Sequence, residues 1–266
     1  MRFHLPTFEY RPRLGPQTVA LDKVGGLPFG LDPAAWPRCA DCGKAMSHIA
    51  QFVHDEHRLD LGDPRRVLTL WQCEHDPGMC ETWSATSGAN RATVLTVDEE
   101  SAHLAPLPDE ETTVFVEARV VAWSEGDDGV TQDQLPMFFD EARSRELDRA
   151  WWAAERFTTR LGAVPTFIQS ADESPARPWR FIGQLSGGER ISGPVPTAIA
   201  TGYGIQRAVD GGWEMERPPG EPKGWIVVDE SGWYLPGANF GDGGMAYVFL
   251  DQTSDPPAAS MFWQCG

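Results

Sequence analysis

The chain predicts a mostly β, α+β protein made of a tandem duplicated β-rich module with one clear helix between the copies. Three observations carry this. Glycine (27) and proline (22) are frequent enough among 266 residues to cut the chain into short segments. The apolar runs are brief and rich in branched and aromatic residues, as at 67–72 and 113–123, which suits strands. A pattern also recurs: Lys23-Val-Gly-Gly-Leu-Pro28 matches Arg160-Leu-Gly-Ala-Val-Pro165, and Ile49-Ala-Gln51 matches Ile182-Gly-Gln184. The run 67–72 has its counterpart in 246–250. Repetition of motif order along a chain is the mark of a duplicated structural unit.

Taken in order, residues 1–22 read as an extended lead-in, since Pro6, Pro12 and Pro16 oppose a helix. Residues 23–136 form the first copy, with strands at 48–53, 67–72 and 113–123 and an acidic linker at 124–136. Residues 137–266 carry the junction helix and the second copy. The helix is expected over 138–161, because Leu147, Trp151, Ala154, Phe157 and Leu161 recur at helical spacing and Gly162 suits a left-handed cap. Strands follow at 164–168, 179–185, 225–228, 246–250 and 261–264. Gly187-Gly188 and Gly241-Asp-Gly-Gly244 read as turns. The two copies are expected to pack as one unit.

Cysteine usage is the chemical signal. Cys39-Ala-Asp-Cys42, followed by Gly43, is the tight thiol pair that grips one edge of a tetrahedral zinc. Cys73 and Cys80 form a wider second pair, and Pro77-Gly78 between them can fold the loop back. His75 on the same loop is an alternative ligand, and Cys265 stands apart. Four thiolates would close the coordination sphere, leaving zinc a structural role.

The formal net charge of −17, from 39 acidic against 22 basic residues, disfavours nucleic acid and suits solubility or a basic partner. The first ten residues lack the apolar core of an export signal, and no stretch has the length of a membrane span. With five cysteines and no such signal, a reducing cytoplasm is the expected compartment. Neither a phosphate loop nor a nucleophile elbow occurs, and His54-Asp-Glu-His57 reads as a solvated face, so no catalytic residue is nominated.

The motifs resemble the YwqG-like proteins and their eukaryotic relatives, programmed cell death protein 2 and its homologues. The first part is similar to the latter in Lys23–Pro28, in Cys39-Ala-Asp-Cys-Gly43 leading to Ser47-His-Ile-Ala-Gln51, and in Leu70-Trp-Gln-Cys through Cys80 with Trp83. The second part resembles YwqG in Leu161-Gly-Ala-Val-Pro165, Phe181-Ile-Gly-Gln184 and Phe240-Gly-Asp-Gly-Gly-Met-Ala-Tyr-Val-Phe249. That resemblance implies a duplicated β-rich fold and a role in escorting a newly made protein.

The leading expectation is a non-catalytic, zinc-binding chaperone or adaptor for a protein or peptide client, with strand pairing at sheet edges left at the repeat junction. Gln51, Trp71, Trp179, Gln184, Asp242 and Tyr247 are the candidate partner-binding residues. The alternatives are an immunity protein that covers a toxin, and an enzyme of unrecognised chemistry.

Overall fold

The computed structural model describes residues 1–10, 17–76, 79–98, 100, 102–109, 111–147, 157–176, 178–192, 204–207, 213–216, 226–229 and 232–266. It is mostly β. Among the described residues, fifteen strands run in chain order: β1 (Arg2–Tyr10), β2 (Lys23–Val24), β3 (Ser47–Val53), β4 (Arg66–Gln72), β5 (Asn90–Thr96), β6 (Ala118–Asp127), β7 (Arg160–Gly162), β8 (Arg180–Ser186), β9 (Gly188–Ser192), β10 (Gly204–Arg207), β11 (Trp213–Glu216), β12 (Ile226–Asp229), β13 (Gly232–Pro236), β14 (Met245–Asp251) and β15 (Ala258–Gln264).

Ten of these form one antiparallel sheet in the order β15-β14-β8-β7-β1-β6-β2-β3-β4-β5. Its end strands β5 and β15 pass within 8 Å of each other, so the sheet nearly closes on itself. The approach is fastened at both ends. The Trp263 N–H donates to the Trp83 carbonyl at 3.2 Å at one end, and Gln252 Nε2 donates to the Asp60 carbonyl at 3.0 Å at the other. An Arg66–Asp255 ion pair joins the same two hairpin tips. The remaining strands form a five-stranded sheet, β10-β11-β12-β13-β9. The chain passes from one sheet to the other at Gly187, between β8 and β9. The principal core draws on both halves, for example Ile49, Leu70 and Phe115 with Ile182, Leu185 and Val248.

Several expectations change. The supposed lead-in contains β1, a nine-residue strand that pairs with β6 on one side and β7 on the other. Its prolines mask an apolar pattern that buries Phe3 and Phe8. β1 thus lies between β6 and β7 at the junction of the halves, paired with β6 along its length and with β7 through Phe3 and His4. The acidic linker begins later than its composition suggests, because 124–127 continue β6, whereas 113–117 precede it. Residues 164–168 are not a strand.

The helix expected over 138–161 is not a single helix. A 3-10 turn at Leu135–Phe139, a four-residue helix α1 (Glu141–Ser144) and a 3-10 turn at Arg145–Leu147 occupy its start. Trp151 and Ala154 lie outside the described residues. At the far end Leu161 is in β7, opposite Gly183. Pairing partners decided its state where apolar spacing had suggested a helix. Gly162, at φ +82°, turns a strand into a loop and caps no helix.

Two local arrangements match in detail. Lys23 pairs with Gln51, and Arg160 pairs with Gln184. Gln51 accepts the Phe29 N–H at 2.9 Å and donates to the Leu21 carbonyl at 3.0 Å. Gln184 accepts the Thr166 N–H at 2.9 Å and donates to the Thr158 carbonyl at 3.1 Å. Lys23 Nζ and an Arg160 guanidinium nitrogen each reach the carbonyl four residues on, that of Leu27 at 2.5 Å and that of Val164 at 2.6 Å. Both turns place two consecutive residues at positive φ, Gly25 and Gly26 in one and Gly162 and Ala163 in the other.

Candidate metal centre

The first thiol pair sits on a tight turn. Cys39 N–H donates to the Lys44 carbonyl at 2.9 Å, and Gly43 N–H donates back to the Cys39 carbonyl at 2.9 Å. Gly43 completes the turn at φ +72°, a conformation that costs glycine little. Arg38 donates to the Gly43 carbonyl at 3.1 Å, and Lys44 is ion-paired to Glu111, so the turn is braced from outside.

The second pair comes from the end of a strand. Cys73 directly follows β4, and its N–H donates to the Ala89 carbonyl at 2.9 Å. Cys80 is brought back by a turn in which its N–H donates to the Asp76 carbonyl at 3.0 Å. Pro77 and Gly78, the dipeptide expected to make this bend, lie outside the described residues. The Glu81 N–H donates to Asp41 at 3.1 Å and so ties one thiol loop to the other.

The result is a cluster in which the Sγ atoms of Cys39, Cys42, Cys73 and Cys80 all lie within 4.8 Å of one another. Cys42 and Cys73 Sγ are 3.6 Å apart. Four sulfurs bound to one zinc at about 2.3 Å would be spaced about 3.8 Å apart, so the donor set fits a tetrahedral metal ion. Cys39, Cys73 and Cys80 are buried and Cys42 is exposed. His75 is not part of the cluster, and its Nε2 is buried without a partner. Cys265 lies apart, close to Gly241.

The surroundings explain the thiols' acidity. Burial pushes Cys73 up to about 11 and raises Cys80 further, and neighbouring thiols reinforce the rise in both. Burial also acts upward on Cys42, but the Lys44 backbone amide and the adjoining thiols outweigh it and leave that thiol below its ordinary value. A cation among the four sulfurs would relieve their mutual repulsion. A small apolar shell packs around Cys39, Cys73 and Cys80, made of Leu31, Trp36, Met46, Trp71, Ala89 and Ala105, and leaves Cys42 at the surface. Trp36 donates to the Met46 carbonyl at 2.9 Å and meets Trp71 edge-on with ring centroids 5.3 Å apart. Burial pushes His48, edge-on to Trp71, down to about 3, so its ring is neutral.

The six residues nominated for partner contact fall differently. Gln51, Trp71, Gln184 and Tyr247 are buried, with exposures of 0–2%. The two glutamines satisfy loop backbone groups, as described above. Trp71 donates to Thr69 at 3.0 Å. Tyr247 donates to the Thr166 carbonyl at 2.7 Å and accepts the Ile168 N–H at 2.9 Å. Gln51, Gln184 and Tyr247 hold loops onto strands, Trp71 packs in the shell beside the thiols, and all four are buried away from solvent. Trp179 packs half-buried at the edge of an aromatic cluster, and Asp242 is exposed.

Sequence reasoning missed the link between the cysteine loop and the second half. Glu74 accepts from Gln72 at 2.9 Å and from the Asn239 N–H at 3.1 Å, while Gln72 also donates to the Asn239 carbonyl at 2.8 Å. No spacing rule joins positions so distant in sequence. No family model matches the chain, and no curated protein matches it. Among the described residues, no helix is long and apolar enough to cross a membrane.

Proposed function

We propose that the chain is a zinc-stapled, duplicated β scaffold that shields a basic polypeptide, acting as a chaperone or adaptor. The observation that carries the structural part is the four-thiol cluster, whose donors already stand at metal-binding spacing. Cys39, Cys42, Cys73 and Cys80 would hold the ion. Bound zinc would supply cross-linking there, because four thiolates leave no position for water. Free thiols of this kind suit a reducing, cytoplasmic setting.

Duplication is supported by the matched Lys23–Gln51 and Arg160–Gln184 arrangements, down to the bonds that each amide makes. Motif order along the chain supports placing it with the YwqG-like proteins and programmed cell death protein 2. The client reading rests on that placement and on the charge of −17, which attracts lysine- and arginine-rich chains over a long range. An extended client would pair with a sheet edge at the repeat junction, where β1 meets β7 only through Phe3 and His4.

The test has two arms. Metal analysis of protein purified without chelator should find one zinc per chain, and less than about 0.2 rejects the centre. A tagged copy expressed in cells should retain a basic protein whose association slows as salt rises from about 0.1 M to 1 M. An acidic partner, or a rate indifferent to salt, rejects the client reading.

A further inference from the structure

The four sulfurs of the thiol cluster are alike in spacing and unlike in access. Cys39, Cys73 and Cys80 are 0–3% exposed, whereas Cys42 stands at the surface. Beside it the turn faces open space, for a Cβ placed on Gly43 would meet nothing within 4 Å. The apolar shell packs around the buried three. A reagent in water therefore meets the cluster at one sulfur.

Behind that sulfur lies a second one in contact. Cys73 Sγ is 3.6 Å from Cys42 Sγ. A disulfide requires about 2.05 Å, so the two sulfurs need close by only roughly 1.5 Å. Cys73 is held at the end of β4 by its N–H bond to the Ala89 carbonyl, which leaves the closing movement to the exposed Cys42 side chain. Cys265 is partly exposed too, but among the described residues it stands outside the thiol cluster.

We propose that Cys42 is a modification site for a hydroperoxide, and that its oxidation closes a Cys42–Cys73 disulfide and expels the metal ion. The Cys42 thiolate attacks one peroxide oxygen. An S–O bond forms, the O–O bond breaks, and the departing oxygen takes a proton to leave as water or an alcohol. The Cys73 thiolate then attacks the Cys42 sulfur. The S–S bond forms, the S–O bond breaks, and hydroxide leaves as water on taking a second proton. Two electrons pass from the sulfurs to the peroxide.

A small uncharged oxidant is selected because a net charge of −17 repels anionic ones such as hypochlorite or glutathione disulfide. Once Cys42 and Cys73 are joined, the ion retains only the thiolates of Cys39 and Cys80, half of a tetrahedral set. Expulsion of the ion rests on the metal reading above, while the choice of sulfurs rests on exposure and distance alone.

The experiment uses the full-length, metal-loaded protein carrying Cys265→Ser, which removes the thiol outside the cluster; a thermal melt checks its fold. Bound zinc is measured first. Hydrogen peroxide is then added in steps up to one equivalent, zinc release is followed with a chromogenic chelator, and oxidised cysteines are mapped by peptide mass spectrometry. A single Cys42–Cys73 disulfide is expected, with one zinc released for each disulfide formed, and dithiothreitol with zinc should restore the starting state. Brief labelling with substoichiometric N-ethylmaleimide should modify Cys42 about tenfold faster or more than each of the other three. A disulfide from Cys42 to Cys39 or Cys80, another cluster thiol labelled as fast, or zinc retained as the disulfide forms overturns the proposal. Protein that holds no zinc at the outset rejects the metal reading, and expulsion with it, and the same peptide map then still decides the Cys42–Cys73 pair.

Discussion

In the first half, the loops above β3 and β4 are gathered by four small thiol side chains within a thin shell that includes Trp36 and Trp71. In the second half, β8 and β14 carry Phe181, Tyr247 and Phe249, which pack with Phe167 and Phe262. Ring centroids there are close, 4.8 Å for Phe167–Tyr247 and 5.8 Å for the stacked Phe249–Phe262 pair. Each aromatic buries roughly 150–250 Å² and so secures its loops through area alone. Thiols bury little, so a cluster of them holds loops chiefly through what they bind. One scaffold thus gathers its loops in two ways, one around a thiol donor set that fits a metal ion and one around packed aromatic rings.

The sharpest way to break this comparison is to remove the metal. Chelation, or Cys73→Ser, should destabilise the first half by an amount on the order of 10 kcal/mol if zinc is bound. Hydrogen exchange should then accelerate over 36–46 and 71–89, where the cysteine loops lie, before it does over 245–264. Equal acceleration in both regions would dissolve the distinction between the halves. Phe262→Ala is the reciprocal change. It should cost about 3–5 kcal/mol through lost burial and cavity formation, and the loss should persist with metal saturated.

A smaller effect tests the likeness beneath the difference. Gln51→Leu and Gln184→Leu each strand one loop N–H and one loop carbonyl, those of Phe29 and Leu21 or of Thr166 and Thr158. Each should cost about 2–4 kcal/mol by denaturant titration, and the two costs should agree within about 1 kcal/mol. A large disparity would mean that the matching bonds do unequal work. The smallest effect lies at the paired turns. Ala163 holds φ +58° where the first half has Gly26 at φ +65°. Ala163→Gly should change stability by no more than about 1 kcal/mol, in the stabilising direction, because relief of the left-handed strain slightly exceeds glycine's entropy. Gly26→Ala should destabilise by more, since the new Cβ would fall within 2.2–2.9 Å of Glu117 side-chain atoms. The same thermal melts decide both.

Legibility in the sequence tracked how local the cause was. The cysteine set could be read because a tight pair such as Cys39 and Cys42 needs only one turn, and a second pair completes a known coordination number. Strands β3, β4, β8 and β14 could be read because apolar residues cluster within each short segment. Strand β1 could not, because Pro6 signals interruption to any local rule, and only its pairing with β6, opposite Trp123, makes it a strand. The same holds for Leu161, whose helical spacing gave way to a place opposite Gly183.

The partner-binding nominations show the limit from the other side. Gln51 and Gln184 stand out in the sequence because they recur, and recurrence reflects a requirement without naming it. Here the requirement is internal: a buried strand amide that satisfies a loop's backbone, whose loss would leave polar groups unpaired. By itself the sequence determined the β-rich composition, the acidic surface and the four-thiol donor set, since each depends on residue type and short spacing. Tertiary structure alone decided that β1 lies between β6 and β7, that β5 and β15 nearly meet, and that Glu74 ties the cysteine loop to Asn239. Those outcomes depend on backbone pairing between segments remote in the chain, where the free energy lies in the contact and no single segment carries its record.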